Sequence, residues 1–443
     1  MSPKCPTASR SARAGSPRSR ATTRSRNSSA GTDPPRPKWR DTMRRSTDHI
    51  LTTHGGNLPR PADLDALLVD ADTKQAEIAV RLPKAVREVV EQQIKCGVDV
   101  INDGEYVKAA NMGSYTSYIQ QRVTGWETLP RDPATPSKRA GPGERDRRDF
   151  PGFYESGLWF AGAGGPVRPG FMTPGNVPQK PTKEKVCTSA LTYVGQAEIA
   201  KDIDALKKGL EGKADVDGFI AALGPLSAGA GARNAFYRDE RDYMMAVATA
   251  MRAEYKAITD AGLIVQIDEP EFATSWMFYP EWSVDKYRDY LEFAVEVINH
   301  AVERLPEEQI RFHMCWGSGH RPHVHDIEFK NIVDLMLKIN AQCYTFEASN
   351  VRHAHEWRVW EEVKLPAGKI ICPGVVGHMT DLVEHPELVA ERLVNVGKLV
   401  GMENIQGGTD CGIGSRVGHP EVVWAKLAAM AEGAAIATKK LKG

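Results

Sequence analysis

Arg311-Phe312-His313-Met314-Cys315-Trp316 is a short apolar run carrying two candidate ligands, His313 and Cys315, two residues apart. On a β-strand that spacing sends both side chains to one face. An imidazole and a thiolate aimed at one point suit Zn2+. Two further candidate ligands close similar runs downstream: Glu347 in Cys343-Tyr344-Thr345-Phe346-Glu347, and Cys411 in Gly407-Gly408-Thr409-Asp410-Cys411-Gly412. An isolated His-x-Cys is weak evidence, since Cys is often only a small buried hydrophobe. Four candidate ligands of zinc type at the ends of three separate strands are a stronger signal.

Working outward, short apolar runs alternate with helical patterns throughout. The runs lie near residues 51, 100, 220, 265, 312, 345, 371 and 406, leaving aside a shorter one at Cys187. They are continuous rather than alternating, as expected of parallel strands buried on both faces. Helices are expected over 82–95, 196–210, 239–261, 284–304, 332–339, 386–400 and 421–439. Repeated β/α units of this kind predict a (β/α)8 TIM barrel, with an open doubly wound sheet as the alternative. No Gly-rich phosphate fingerprint follows the first strand, which disfavours a dinucleotide fold. In such barrels the chemistry sits at the C-terminal strand ends. Gly55, Gly56, Glu105, Asp268, His313, Cys315, Glu347 and Cys411 all fall there.

The chain has 443 residues, 41% hydrophobic and 26% charged, with a formal net charge of zero. That composition is ordinary for a globular protein. No run approaches the ~18 apolar residues of a membrane span. Seven widely spaced Cys argue for a reducing, cytoplasmic setting rather than a disulfide framework. Residues 1–45 are Ser-, Thr-, Arg- and Pro-rich and carry about ten more basic than acidic groups. Such a tail cannot bury enough apolar surface to fold, so it is expected to be disordered. A transit-like presequence and a nucleic-acid arm compete with an inert tail, or with a true start at Met43. No apolar face interleaves with the arginines, and no aromatic except Trp39, so no nucleic-acid partner is expected. The barrel domain is placed at 46–443. From 106 to 185 the periodicity dissolves into a Gly-, Pro- and Arg-rich insertion after the second strand, a candidate lid.

Asp268-Glu269, before Pro270, puts adjacent carboxylates at a strand end, and only one of them can point into the barrel mouth. Asp268 is a candidate for holding a substrate amine or moving a proton. His378, beyond Pro373-Gly374-Val375, is a candidate acid or base. His320, His323, His325, His353 and His355 form a rival cluster, more simply read as surface residues. Two thiolates make bound zinc a poor activator of water but a good host for another thiolate. The pattern therefore favours alkyl transfer to a small-molecule thiol.

Together these motifs resemble the catalytic barrel of cobalamin-independent methionine synthase and its single-barrel relatives. The resemblance runs over roughly residues 46–443. It rests on Thr52-Thr53-His54-Gly55-Gly56, Asp103-Gly104-Glu105, Gln266-Ile267-Asp268-Glu269-Pro270, His313-Met314-Cys315, Phe346-Glu347-Ala348-Ser349, Pro373-Gly374-Val375 and Asp410-Cys411-Gly412. It implies zinc held by His313, Cys315, Glu347 and Cys411. It implies homocysteine bound at Gly55, Gly56, Glu105 and Asp268, and a proton donor at His378. The donor would be 5-methyltetrahydrofolate or a related methyl carrier, and the product methionine. The family usually has Gly-Ser where this chain has Gly55-Gly56. An epoxyalkane:coenzyme M-type thiol alkyltransferase and a non-catalytic zinc-binding barrel are the alternatives. Uroporphyrinogen decarboxylase shares the barrel but lacks these ligands.

Overall fold

The computed structural model describes residues 42–106, 108, 118–132, 139–141, 143–156, 183–319, 321–414 and 416–443. The basic tail, save its last few residues, and much of the 106–185 insertion lie outside them. The strands, in chain order, are β1 (Leu51–Thr52), β2 (Val100–Ile101), β3 (Val123–Pro130), β4 (Lys183–Tyr193), β5 (Asp217–Leu223), β6 (Arg233–Asn234), β7 (Ile264–Asp268), β8 (Ile310–Met314), β9 (Cys343–Phe346), β10 (Ile370–Val376) and β11 (Gln406–Thr409).

Eight of them form one sheet in the order β1-β11-β10-β9-β8-β7-β5-β2, all pairings parallel. These are the eight runs expected from the sequence, wound as a (β/α)8 barrel. Between β1 and β2 the ladder gives way to a stitched seam. Asp99 N donates to the Thr52 carbonyl (3.1 Å), and Thr52 N donates to Asp99 Oδ2 (2.9 Å). Thr53 Oγ1 donates to the Val100 carbonyl (2.9 Å).

Every β5 residue is buried, because alternate side chains face two different cores. Phe219 and Ala221 join Met43, Val100, Ile264, Cys343, Ile370 and Cys372 in a small cluster. Ile220, Ala222 and Leu223 belong to the large layer shared with the helices. Arg311 is fully buried beside the small cluster. Its guanidinium lies 3.9 Å from the Phe219 ring centroid and donates to Thr53 Oγ1 (2.8 Å). A buried charge needs partners of this kind.

The helices over 196–210 and 386–400 match expectation as Gln196–Leu210 and Pro386–Val400. The helix expected at 82–95 starts earlier, at Gln75, and accommodates Pro83. That expected at 332–339 shrinks to Val333–Met336, preceded by the 3-10 turn Phe329–Asn331. Two helices, Ala62–Val69 and Glu271–Phe278, were not anticipated. Among the described residues, no helix is long and apolar enough to cross a membrane.

The 106–185 insertion is not wholly irregular. It contains β3 and the short helices Ile119–Arg122, Glu144–Arg147 and Pro151–Glu155. β3 pairs antiparallel with β4, which in turn pairs with β6. β3 is a surface ribbon strand, mostly exposed or half-buried, with no continuous apolar run, so its sequence looks like loop. A buried ionic knot ties it to the barrel. Arg122 bridges Asp202 (2.6 Å) and Glu254 (3.1 Å), and the hydroxyls of Tyr118 and Tyr193 donate to Glu254 (3.0 and 2.7 Å).

Candidate metal centre and barrel mouth

β8 delivers His313 and Cys315 to its C-terminal end, both buried. The His313 Nδ1 is hydrogen-bonded to Thr345 Oγ1 on the neighbouring β9 (2.7 Å). That contact orients the ring and leaves Nε2, which is buried without a hydrogen-bond partner. Cys411 follows β11. The ligand atoms of His313, Cys315 and Cys411 lie within 4.8 Å of one another. Thr409 Oγ1 donates to the Cys411 carbonyl (2.7 Å) and accepts from Gly55 N (2.8 Å). A Cβ at Gly55 would overlap the Cys411 backbone, so only glycine lets β1's loop reach the centre. The Cys411 thiol is pushed well below its ordinary value by the Cys315 thiol and the His313 imidazole, against the effect of burial.

Two sulfurs, one buried and one half-buried, and one imidazole nitrogen converge, with no other partner for Nε2 among the described residues, and fit a zinc ion by donor chemistry. The outer contact to the imidazole's far nitrogen is what a metal-binding His requires.

Glu347 lies next to this set, and its charge helps push the Cys315 thiol up. Its own oxygens are engaged: Oε2 accepts from Trp316 N (2.9 Å) and Oε1 from the Asn350 amide. It joins His378 and Asp410 in a second group, again within 4.8 Å of one another. Asp410 Oδ1 accepts from Ala348 N and Ser349 N (2.8 Å each), and Oδ2 from Ser349 Oγ (2.5 Å). The carboxylate thereby shapes the loop that carries Glu347. It also fills the space beside Gly374, where a Cβ would overlap Asp410 Oδ1. His378 is buried, with Nε2 hydrogen-bonded to Ser318 Oγ (2.8 Å) and Nδ1 without a hydrogen-bond partner.

On the opposite rim stand Gly55, Gly56, Glu105 and Asp268. Gly56 has φ +125, and a Cβ there would overlap Glu105 Oε1. Glu105 itself sits at φ +57, a left-handed conformation that costs a non-glycine residue roughly 1–3 kcal/mol. Burial, and then the charge of Asp268, push its carboxyl well up. Asp268 Oδ1 accepts from Gln266 Nε2 (2.7 Å), which also donates to the Gly55 carbonyl (3.0 Å). Glu269 turns away, as only one of the two carboxylates could face the mouth. It accepts from Leu226 N (2.8 Å) and Ser227 N (2.9 Å), and burial pushes its carboxyl up to about 8.

The rival histidines do not assemble a metal centre among the described residues, and His320 lies outside them. His323 and His353 share Asp326 (2.7 and 3.3 Å), and His353 also meets Glu356 (2.7 Å). His353 is buried rather than superficial and stacks on Trp316 at 4.0 Å. It braces the strand end carrying Cys315. Cys343 and Cys372 are core residues, as expected. Sequence reasoning missed Thr345, Asp410, Ser318 and Lys108. Only Asp410, adjacent to Cys411, carried a signal that could have found it.

Residues 226–436 match the family model described as cobalamin-independent synthase, catalytic domain. Methionine synthase of Saccharolobus solfataricus is 25% identical over 226 residues, 50% of this chain and 59% of that protein. The 5-methyltetrahydropteroyltriglutamate–homocysteine methyltransferase of Thermotoga maritima is 34% identical over 100 residues, 21% of this chain. The chain covers only 13% of that longer relative. In fold it is similar to a B12-independent methionine synthase from Shewanella sp. W3-18-1, solved with selenomethionine. The TM-score is 0.63 at 20% identity, covering 89% of this chain and 99% of that one. Strand-end ligands, barrel and family match point one way: over residues 226–436 the chain is similar to the catalytic domain of cobalamin-independent synthases, and its barrel has the fold of a B12-independent methionine synthase.

Proposed function

We propose that the protein is a zinc-dependent methyltransferase that moves a methyl group from 5-methyltetrahydrofolate, or a related carrier, to the thiol of homocysteine, giving methionine. The convergence of the His313, Cys315 and Cys411 ligand atoms within 4.8 Å carries this reading. These residues, with Glu347 beside them as the fourth ligand, would hold zinc, which would supply a cationic centre favouring the thiolate form of an acceptor thiol.

The rest is the work of the chain's own groups. Glu105 and Asp268 form an anionic wall that matches the acceptor's ammonium. Gly55 and Gly56 let the acceptor approach the backbone closely. Holding two substrates in line in one barrel mouth converts a bimolecular encounter into an oriented one. The buried His378, with Nδ1 free and Nε2 fixed by Ser318, is placed to give a proton to the donor's leaving nitrogen. The insertion bearing β3 and β4 is the candidate lid.

The test is elemental analysis of purified protein, followed by zinc-edge X-ray absorption with and without homocysteine or coenzyme M. We expect stoichiometric zinc that gains a sulfur neighbour with homocysteine, and methyl transfer to it. Absent zinc, or a coordination shell indifferent to both thiols, would overturn the reading. A response to coenzyme M alone would replace homocysteine as the acceptor.

A further inference from the structure

Lys108 is an unused cation in the middle of the acceptor rim. It is 3% exposed, unusual for a lysine. Its ammonium lies 5.1 Å from the Tyr118 ring centroid and donates to the Ala221 carbonyl. Among the described residues that carbonyl is its one hydrogen-bond acceptor, although an ammonium has three protons to give. Ala221 is also the residue that a Cβ on Gly56 would approach next after Glu105, at 3.6 Å. Lys108, Gly56 and Glu105 therefore surround one small volume. The charge of Lys108 is felt there by Glu105 and Asp103.

An anionic wall alone would repel the carboxylate of any amino-acid acceptor. Resting on the function proposed above, we infer that Lys108 is the acceptor's carboxylate-binding residue, so that the rim selects a zwitterionic α-amino-acid thiol. Glu105 and Asp268 take the ammonium end and Lys108 the carboxylate end. A thiol bearing only one of the two charges leaves a buried group of the opposite sign unpaired. Charge-assisted hydrogen bonds of this kind are the stronger ones.

The test is calorimetric binding of L-homocysteine and of its carboxamide to the full-length, zinc-loaded protein. Wild type is expected to prefer homocysteine by about tenfold or more. Lys108→Met should bind the two alike, and Lys108→Arg should restore the preference. Zinc content and circular dichroism report whether each variant is folded. A folded Lys108→Met that keeps the preference would overturn the inference, as would a wild type that binds homocysteine without any preference. A wild type that binds neither ligand would bring down the proposed function itself, and this inference with it.

Discussion

Two groups of three side chains sit at the same end of the barrel, each packed within 4.8 Å, and they are built in opposite ways. In His313, Cys315 and Cys411 the far side of the imidazole is tied, Nδ1 to Thr345, while Nε2, facing the two sulfurs, has no hydrogen-bond partner among the described residues. In Glu347, His378 and Asp410 the carboxylate oxygens are consumed by backbone and side-chain donors of the rim loops. Only His378 Nδ1 stays open. Proximity of ligand-type atoms alone would rate both groups as metal sites. Hydrogen-bond accounting separates a group whose imidazole nitrogen has no partner from one whose carboxylates position loops, with Glu347 lying between the two.

Removing a member of the first group should have the largest effect. Cys411→Ser is expected to lose zinc by more than the roughly 10–100-fold typical of outer-shell changes, and turnover with it. Full zinc occupancy in that variant, by elemental analysis, would break the distinction. His378→Asn, in the second group, should keep its zinc while kcat falls by about 10²–10⁴. Coincident loss of metal and rate would move His378 into the first group.

The loop carrying His378 offers a third test. Lys426, fully buried, pairs with Glu384 (2.9 Å), which accepts from Gly377 N (2.8 Å). Lys426→Met strands that carboxylate and should cost about 3–5 kcal/mol in urea unfolding. Lys426→Met/Glu384→Leu should recover much of it. An additive double variant would show that the pair is not a unit.

The smallest expected effect concerns His54. Its Nδ1 accepts from Gly56 N (3.1 Å), its Nε2 meets Gln93 (2.8 Å), and burial lowers its pKa from 6.5 to about 3. A depressed base stabilises the fold fully above pH 6.5 and loses that contribution as pH falls toward 3. At pH 5.5 the loss relative to neutral pH is roughly 1 kcal/mol. His54→Asn should flatten the dependence of the unfolding midpoint between pH 7 and 5. An unchanged slope would assign the acid lability to other groups.

The sequence disclosed the barrel because the wall strands, buried on both faces, are short and largely apolar, most plainly in Phe219-Ile220-Ala221-Ala222-Leu223. β3 escaped notice because all but its first residue is exposed or half-buried and Gly125 and Pro130 punctuate it. The ligand-type residues were legible from type and strand-end position. Their supports were not, since Thr345, Ser318 and Asp410 gain meaning only from what lies across a strand or loop. Asp410 meets Ser349, 61 residues away, and no local pattern records that. Lys108 was hidden by lying in a stretch without periodicity.

The stitched seam between β1 and β2 divides the working end unevenly. Gly55 and Gly56 follow one of its strands and Glu105 the other, whereas His313 and Glu347 stand at the ends of β8 and β9, which an unbroken ladder joins. Each seam strand is two residues long and leans on threonine and aspartate side chains for closure. Local opening follows the weakest bonding. The rim of Gly55, Gly56 and Glu105 can therefore breathe while the frame of β8 and β9 stays fixed. Amide exchange along 52–56 and 100–105 should outpace that of β8 and β9, so that the two halves of the barrel mouth run on separate clocks.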